Sequence, residues 1–323
     1  MQKKITKIIL AVLAIPLVII FFGYVCIQLF VESESPTLSA PTTTRFVQVG
    51  SEQVAYQMLD NHAPVTAVFV GGLAAWGGTW ERTIQSASRA DASFNYLVID
   101  LPPFGYSTAD ASRGYFRDIQ ADRIEGVVEN LGLSDVILVA HSYGAGPAAE
   151  YVMRRPAEVK KFVVIDGVLG IDEPKIVSKK GITQVDVVRN TLIAFLAHSS
   201  AFVQSRFKAF VYVTDHIDKD LIAVYMRSFN VDGTTAKLSR WFKDYLNDPL
   251  VYKSTDSREY KKLSIPVRLI WGDQDTVTPV SLSEVVLHSV PDVKMQTLKN
   301  IGHIPMIEDY DMFDRALLES LRR

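Results

Sequence analysis

The sequence has few of the residues and motifs that mark several common protein classes. Cys26 is the single cysteine, so no intrachain disulfide and no cysteine-based metal site are expected. The formal net charge is −2 and the lysines and arginines are scattered, which disfavours a nucleic-acid partner. No GxGxxG segment follows a strand-like run and no GxxxxGKS or GxxxxGKT segment is present. No cofactor is therefore expected.

Apolar residues, in contrast, are plentiful, and the longest run lies near the amino terminus. Lys3, Lys4 and Lys7 precede an uncharged stretch of 23 residues, 8–30. As a helix rising about 1.5 Å per residue it would span roughly 35 Å, enough for the core of a bilayer. The alternative is a cleaved signal peptide, but such peptides have shorter apolar regions followed by a small-x-small site. Residues 1–31 are therefore predicted to be a transmembrane anchor.

The charges around this run predict its orientation. Lysines lie on its amino side and Glu32 and Glu34 on the other, so the amino terminus is expected in the cytoplasm and the domain outside it. No asparagine begins an N-x-S/T sequon, which favours a bacterial cell membrane over a eukaryotic lumen. Residues 32–44, rich in Ser, Thr and Pro, are predicted to form a solvated linker.

From residue 45 onward, apolar strand-like runs alternate with helix-like segments. The predicted strands are 46–49, 53–58, 65–70, 96–99, 136–140, 162–165, 267–271 and 293–298. Gly50 and Ser51 between the first two are typical of a hairpin turn. The alternation predicts the α/β class, with a mostly parallel eight-stranded sheet covered by helices on both faces, over residues 45–170 and 261–323.

Residues 171–260 interrupt this alternation. They contain no comparable strand signal, but they have helical spacing and many aromatic residues, such as Phe195, Phe229 and Trp241. An apolar helical insertion of this size is typical of a lid, and a lid is predicted here.

Ser142 stands between a predicted strand and a predicted helix, in the segment 140–144 (AHSYG). A sharp strand-to-helix turn would expose its hydroxyl and aim the next backbone N–H and the helix N-terminus at the same point. Such a turn needs small residues two positions before and after the serine, and Ala140 and Gly144 are small. The alternative is a serine that only caps the helix, because small-x-Ser-x-Gly occurs often by chance.

Five motifs in order decide between these alternatives, since together they resemble the α/β-hydrolase fold over residues 45–323. The motifs are 69–73 (FVGGL), 100–107 (DLPPFGYS), 140–144 (AHSYG), 271–275 (WGDQD) followed by Pro279, and 300–303 (NIGH). The chain departs from the family pattern at Ala140, at Pro103 in place of a glycine, and at Gly71 in place of a frequent histidine. The resemblance implies a serine hydrolase with Ser142 as the nucleophile.

The base that takes the serine proton must titrate near neutral pH and is therefore expected to be a histidine, and six histidines are present. His303 follows the last strand and Gly302 and is assigned as the base; the others, at 62, 141, 198, 216 and 288, are interpreted as surface or packing residues. The resemblance implies Asp275 as the acid that orients the imidazole, with Asp166 at the end of an earlier strand as the alternative. It also implies an oxyanion hole made by the backbone N–H groups of Leu73 and Tyr143.

Three functions are compatible with these residues. The first is hydrolysis of an ester or related acyl bond in a small apolar substrate, as in carboxylesterases and lipases. The second is a catalytically idle domain of the same fold that binds a ligand or partner. The third is hydrolysis of a carbon–carbon bond, or aminopeptidase activity, with the same three residues.

Overall fold

The computed structural model describes residues 18, 20–110, 112–173 and 181–322. In this part of the chain, eight strands form one sheet in the order β1-β2-β4-β3-β5-β6-β7-β8. The strands are β1 Arg45–Val49, β2 Glu52–Leu59, β3 Val65–Val70, β4 Phe94–Ile99, β5 Val136–His141, β6 Val159–Ile165, β7 Val267–Gly272 and β8 Val293–Leu298. β2 pairs antiparallel with β1 and β4, and all other neighbours are parallel. The predicted fold class is confirmed.

Helices lie between and beyond the strands. The α-helices are α1 Pro36–Ser39, α2 Gly77–Ala90, α3 Arg117–Asn130, α4 Ala145–Arg154, α5 Asp186–Ala197, α6 Ser200–Phe210, α7 Lys219–Met226, α8 Thr234–Leu246, α9 Ser257–Tyr260, α10 Glu284–Ser289, α11 Pro305–Glu308 and α12 Tyr310–Arg322. Shorter 3₁₀ turns occupy Ser142–Gly144, Ile182–Gln184, Arg227–Asn230, Lys253–Thr255 and Val280–Ser283.

Two apolar cores lie on opposite faces of the sheet. One contains side chains of α3, α4 and α10, such as Ile124, Val152 and Val286. The other contains side chains of α2 and α12, such as Ile84 and Leu317. The central strands are buried on both faces, which explains why they appear in the sequence as continuous apolar runs.

The chain between β6 and β7 carries helices α5 to α8, residues 186–246, here called the inserted helices. Phe207 of α6 and Tyr225 of α7 pack into the second core, with their rings 4.5 Å apart. The inserted helices are therefore joined to the sheet domain by a shared apolar core. A role as a lid stays a prediction.

Most of the predicted membrane anchor lies outside the described residues, because residues 1–17 and 19 are not among them. Residues 20–26 are helical and a π-helical turn follows at Ile27–Val31. In the described ranges, no helix combines the length and the hydrophobicity that a membrane crossing requires.

Residues 32–44 are expected to form a solvated linker; Thr37, Leu38, Thr42 and Thr43 are exposed, but the start of the segment is docked on the domain. Glu32 is only 1% exposed. Its carboxylate accepts hydrogen bonds from the backbone N–H of Thr235, at 3.0 Å, and from the Thr235 hydroxyl, and it lies 3.6 Å from Nε2 of His198. Glu34 adds a β-bridge to Val231. These polar groups replace solvent around the Glu32 carboxylate and hold the start of the segment on the inserted helices. They are too far away in sequence to be foreseen.

A buried ion pair joins the sheet to α3. Glu52 and Arg123 have fully buried side chains, and two hydrogen bonds of 2.8 and 2.6 Å link the guanidinium to the carboxylate. Burial alone would raise the pKa of Glu52, but the hydrogen bonds and charge of Arg123 outweigh it and hold the pKa below its ordinary value.

Replacing Arg123 by methionine is expected to lower the free energy of unfolding by about 3–5 kcal/mol, because it leaves the Glu52 carboxylate buried without its main counter-charge. Chemical denaturation of the full chain in non-ionic detergent measures the change. The double variant Glu52→Gln/Arg123→Met removes both charges and should recover much of the loss. A single variant as stable as the wild type would show that the pair contributes little.

Candidate active site

Ser142 lies on a sharp turn between β5 and α4, as the sequence predicts. Its φ is +51°, a backbone conformation that non-glycine residues seldom adopt and that is common at functional sites. Gly144 passes so close to β3 that a Cβ atom there would lie 2.7 Å from the Val70 carbonyl oxygen. Ala140 is fully buried. The two small residues therefore permit the turn that presents the Ser142 hydroxyl at the carboxyl edge of the sheet.

The three residues predicted to be catalytic form one hydrogen-bonded chain. Ser142 Oγ lies 2.8 Å from His303 Nε2, and His303 Nδ1 lies 2.8 Å from Asp275 Oδ2. The carboxylate accepts from Nδ1–H, which leaves Nε2 as the acceptor for the serine proton. All three residues are buried. The arrangement has the geometry of a nucleophile, a base and an orienting acid.

The Asp275 carboxylate is held by its own loop. Val277 and Thr278 donate backbone N–H bonds to Oδ1 at 2.7 and 2.9 Å, and the Thr278 hydroxyl donates to Oδ2 at 2.7 Å. Burial raises the pKa of Asp275, but the His303 contact and these donors outweigh it and keep the pKa below its ordinary value. Asp275 is therefore a charged acceptor facing the histidine.

Asp166, the alternative acid, occupies a different place. It is fully buried, its Oδ1 accepts the Gly272 N–H at 2.9 Å, and its Oδ2 has no hydrogen-bond partner within the described residues. Burial, and then the charge of Asp275, raise the pKa of Asp166 well above its ordinary value. The geometry thus favours Asp275 as the acid, while burial favours the neutral form of Asp166.

His141 is a feature that sequence reasoning missed, since it was assigned only to the surface or to packing. Its ring is buried and its Nε2 donates a hydrogen bond to the backbone carbonyl of His303 at 2.8 Å. Burial, with the nearby charge of His303, lowers the pKa of His141 to about 3, so the ring is neutral. The only sequence signal is its position next to Ser142, and its partner lies 162 residues away.

The loop after β3 runs against the nucleophile. A Cβ atom at Gly72 would lie 2.8 Å from Cβ of Ser142, so a larger residue would collide with the serine. Leu73 follows directly, and its side chain is half exposed. Trp76 and Trp80 further along are both buried, and Trp76 donates its indole N–H to the Val224 carbonyl of α7 at 2.9 Å. These tryptophans pack beneath the inserted helices.

Aromatic side chains surround Tyr143, the residue after the nucleophile. Phe104, Trp241 and Tyr245 have ring centroids 6.1, 5.3 and 5.9 Å from the Tyr143 ring. Trp241 and Tyr245 belong to α8, so the inserted helices build part of this wall. A cavity lined by Tyr115, Arg117, Tyr143 and Tyr245 lies beside it, and neither Ser142 nor His303 lines that cavity.

The described residues contain no cluster of three or more His, Cys, Asp or Glu side chains arranged to hold a metal ion. Ser142, His303 and Asp275 supply a nucleophile, a base and an acceptor that orients the base, which together support nucleophilic catalysis.

Several curated proteins are similar to the chain over most of its length. The chain is 22% identical to an uncharacterized hydrolase, YugF, of Bacillus subtilis, over 88% of this chain and 100% of that protein. It is 23% identical to a 2-hydroxy-6-oxononadienedioate/2-hydroxy-6-oxononatrienedioate hydrolase of Burkholderia vietnamiensis, over 72% and 78%. It is 22% identical to Lipase 3 of a Moraxella species, over 84% and 87%.

Solved structures share the fold. A membrane phospholipase A described as a bacterial virulence factor aligns with a TM-score of 0.67 at 21% identity, over 99% of this chain and 98% of that one. A meta-cleavage product hydrolase of Pseudomonas fluorescens aligns with a TM-score of 0.71 at 18% identity, over 88% and 98%. The model of the alpha/beta hydrolase fold family matches residues 67–310, so the chain belongs to this family.

Proposed function

We propose that the protein is a serine hydrolase that cleaves an ester or related acyl bond through an acyl-serine at Ser142. The observation that carries the proposal is the hydrogen-bonded chain from Ser142 Oγ through His303 to Asp275, with both links at 2.8 Å. A domain that only binds ligands has no need for this alignment, which disfavours the catalytically idle alternative.

In the first half of the reaction, Ser142 Oγ attacks the substrate carbonyl carbon while His303 Nε2 takes the hydroxyl proton. Asp275 stabilises the imidazolium that forms. The negative charge on the carbonyl oxygen is stabilised by the N–H groups of Leu73 and Tyr143. These residues directly follow Gly72 and Ser142, which lie against each other.

The first half ends when the tetrahedral intermediate collapses, His303 returns the proton to the leaving alcohol, and the acyl group stays on Ser142. In the second half, the acyl-serine is hydrolysed. Water then attacks the acyl carbon while His303 Nε2 takes one of its protons. A second collapse releases the carboxylic acid and restores the serine hydroxyl. Each proton passes through the same nitrogen, so the 2.8 Å contact serves both halves.

The aromatic wall around Tyr143 supports an apolar acyl substrate. Carbon–carbon hydrolases among the relatives act, by their names, on dioates, which carry two carboxylates. Such a substrate needs cations in the site. Arg123 is paired with Glu52 and Arg189 with Asp186, whereas Arg117, which lines the cavity beside Tyr143, bonds the neutral Leu169 carbonyl and Ser254 hydroxyl. The aromatic wall favours acyl-ester cleavage, and carbon–carbon cleavage, which would depend on Arg117, is the alternative.

A membrane location is part of the proposal. The apolar run at 8–30 and the lysines before it support an anchor with the catalytic domain outside the cytoplasm. The membrane phospholipase A that aligns with 99% of this chain is, by its description, a membrane protein that acts on an acyl ester of a lipid, and this is in line with the proposal. The inserted helices would then act as a lid over the site.

A fluorophosphonate tests the nucleophile and the base directly. The full chain in non-ionic detergent should gain the mass of one adduct, because only an activated serine reacts, whereas Ser142→Ala and His303→Ala should gain none. Asp275→Asn should label about 10⁴-fold more slowly, since the imidazole loses its orienting charge. The exposed Ser281→Ala serves as the matched control and should label like the wild type. A folded wild type that never labels would make the idle domain the better explanation.

Substrate class is tested with p-nitrophenyl esters of increasing acyl length. An apolar acyl site should raise kcat/KM with each added methylene by up to about fourfold, which corresponds to roughly 0.8 kcal/mol per buried methylene. Removal of the aromatic ring in Trp241→Ala should flatten this dependence. Turnover of a 2-hydroxy-6-oxo-dienoate with no turnover of any ester would instead support carbon–carbon cleavage.

The membrane location is tested by extraction of bacterial membranes with alkaline carbonate. The full chain should stay with the membranes, because a spanning helix is released only by detergent. A variant that lacks residues 1–31 should appear in the soluble fraction. Protease added to intact spheroplasts should digest the catalytic domain. Release of the full chain by carbonate would contradict the anchor.

A further inference from the structure

Glu308 is a buried carboxylate that the mechanism does not use. It ends α11, five residues after His303, and is 3% exposed. Its oxygens accept backbone N–H bonds from both sides of the histidine: from Gly302 at 2.9 Å and from Ile304 at 3.3 Å. The side chain therefore holds the backbone immediately before and after His303.

The same carboxylate also reaches the inserted helices. Tyr212 and Val213, directly after α6, donate backbone N–H bonds to Oε2 at 2.8 and 3.0 Å. In the described ranges, Glu308 forms no ion pair with a lysine, arginine or histidine. A buried carboxylate is retained where several N–H donors satisfy it, and these four backbone groups supply that role.

The two segments that Glu308 joins are in direct backbone contact. The His303 N–H donates to the Phe210 carbonyl at 2.8 Å. A Cβ atom at Gly302 would lie 2.7 Å from the Tyr212 nitrogen, so only glycine allows the approach. The histidine loop and the chain after α6 thus form one hydrogen-bonded unit, with Glu308 as its shared acceptor.

We propose that Glu308 is a positioning residue for His303, which ties the base to the inserted helices and so sets its distance from Ser142. The inference rests on the proposed function. The contacts of His303 with Ser142 and Asp275 depend on where the His303 backbone lies, and misplacement of a catalytic group by about 1 Å costs on the order of 10²-fold in rate.

Glu308→Gln tests the proposal in the full chain in detergent. The glutamine amide replaces one acceptor oxygen of the carboxylate by an NH₂ group, which cannot accept from a backbone N–H. Either the histidine loop or the chain after α6 must therefore lose its hydrogen bonds to this side chain and separate from it. We expect the maximal rate of fluorophosphonate inactivation to fall about 10–100-fold, with the concentration for half-maximal rate changed by less than about twofold. The far-downfield proton signal of His303 Nδ1–H, which reports its bond to Asp275, should disappear.

Two further variants separate positioning from general damage. Glu308→Asp keeps an acceptor-only group and should restore part of the rate and of the signal. Glu284→Gln makes the same chemical change at an exposed helix position and should behave like the wild type. A folded Glu308→Gln protein with the wild-type maximal rate and downfield signal would overturn the proposal.

The outcomes also separate this proposal from the proposed function. If the wild type itself does not react with the fluorophosphonate, the proposed function is wrong. The downfield proton signal alone then tests whether Glu308 positions His303. Where Glu308→Gln does not fold, Val213→Pro removes one donor from the inserted side while Val213→Ala keeps it. An inactivation rate that is reduced in Val213→Pro but not in Val213→Ala supports the coupling between the inserted helices and His303. Equal rates in the two variants overturn it.

Discussion

Close backbone approach at the carboxyl edge of the sheet is the constraint on which the site depends. A parallel sheet brings the ends of β3, β5, β7 and β8 to one edge, but side chains of ordinary length meet only where the main chains touch. Gly144 lies against the Val70 and Gly71 carbonyls, and Gly272 lies against the carbonyls of Ile301 and Gly302. Because glycine has no Cβ, the loops carrying Ser142, Asp275 and His303 can approach closely enough for the hydrogen bonds of 2.8 Å.

The sequence was sufficient for the parts of the molecule that local patterns determine. Buried parallel strands such as β3, β5 and β7 are continuous apolar runs in the sequence. All eight strands were predicted with ends close to those observed. The turn at Ser142 was predictable because its neighbours must be small. The contacts of His141, Glu32 and Glu308 were not, because each forms bonds to residues or backbone groups far away in the chain or within an unforeseen loop. A buried polar residue has no sequence signature until its partners are placed around it.

The buried carboxyl groups of this fold are stabilised in different ways against the same unfavourable removal from water. Removing a carboxylate from water is unfavourable unless donors or counter-charges replace the solvent. Glu52 has Arg123, Asp275 has His303 with loop N–H groups, and Glu308 has backbone N–H groups from two segments. Asp166 is fully buried with one donor and lies near the charge of Asp275, so its pKa is raised well above its ordinary value. The pKa values of these two acids, which follow β6 and β7, are therefore shifted in opposite directions, and the acid with the lowered pKa faces the imidazole.

The inserted helices are hydrogen-bonded to two other segments: the amino-terminal segment near the predicted anchor, and the loop that carries the base. Glu32 accepts the N–H of Thr235 at the start of α8, and α8 carries Trp241 against Tyr143, next to the nucleophile. After α6, the chain donates to Glu308 and its Phe210 carbonyl accepts from His303. A rigid displacement of these helices would break bonds to the amino-terminal segment and to the histidine loop together. The same helices thus form part of the aromatic wall beside Tyr143 and are hydrogen-bonded to the loop that carries the base.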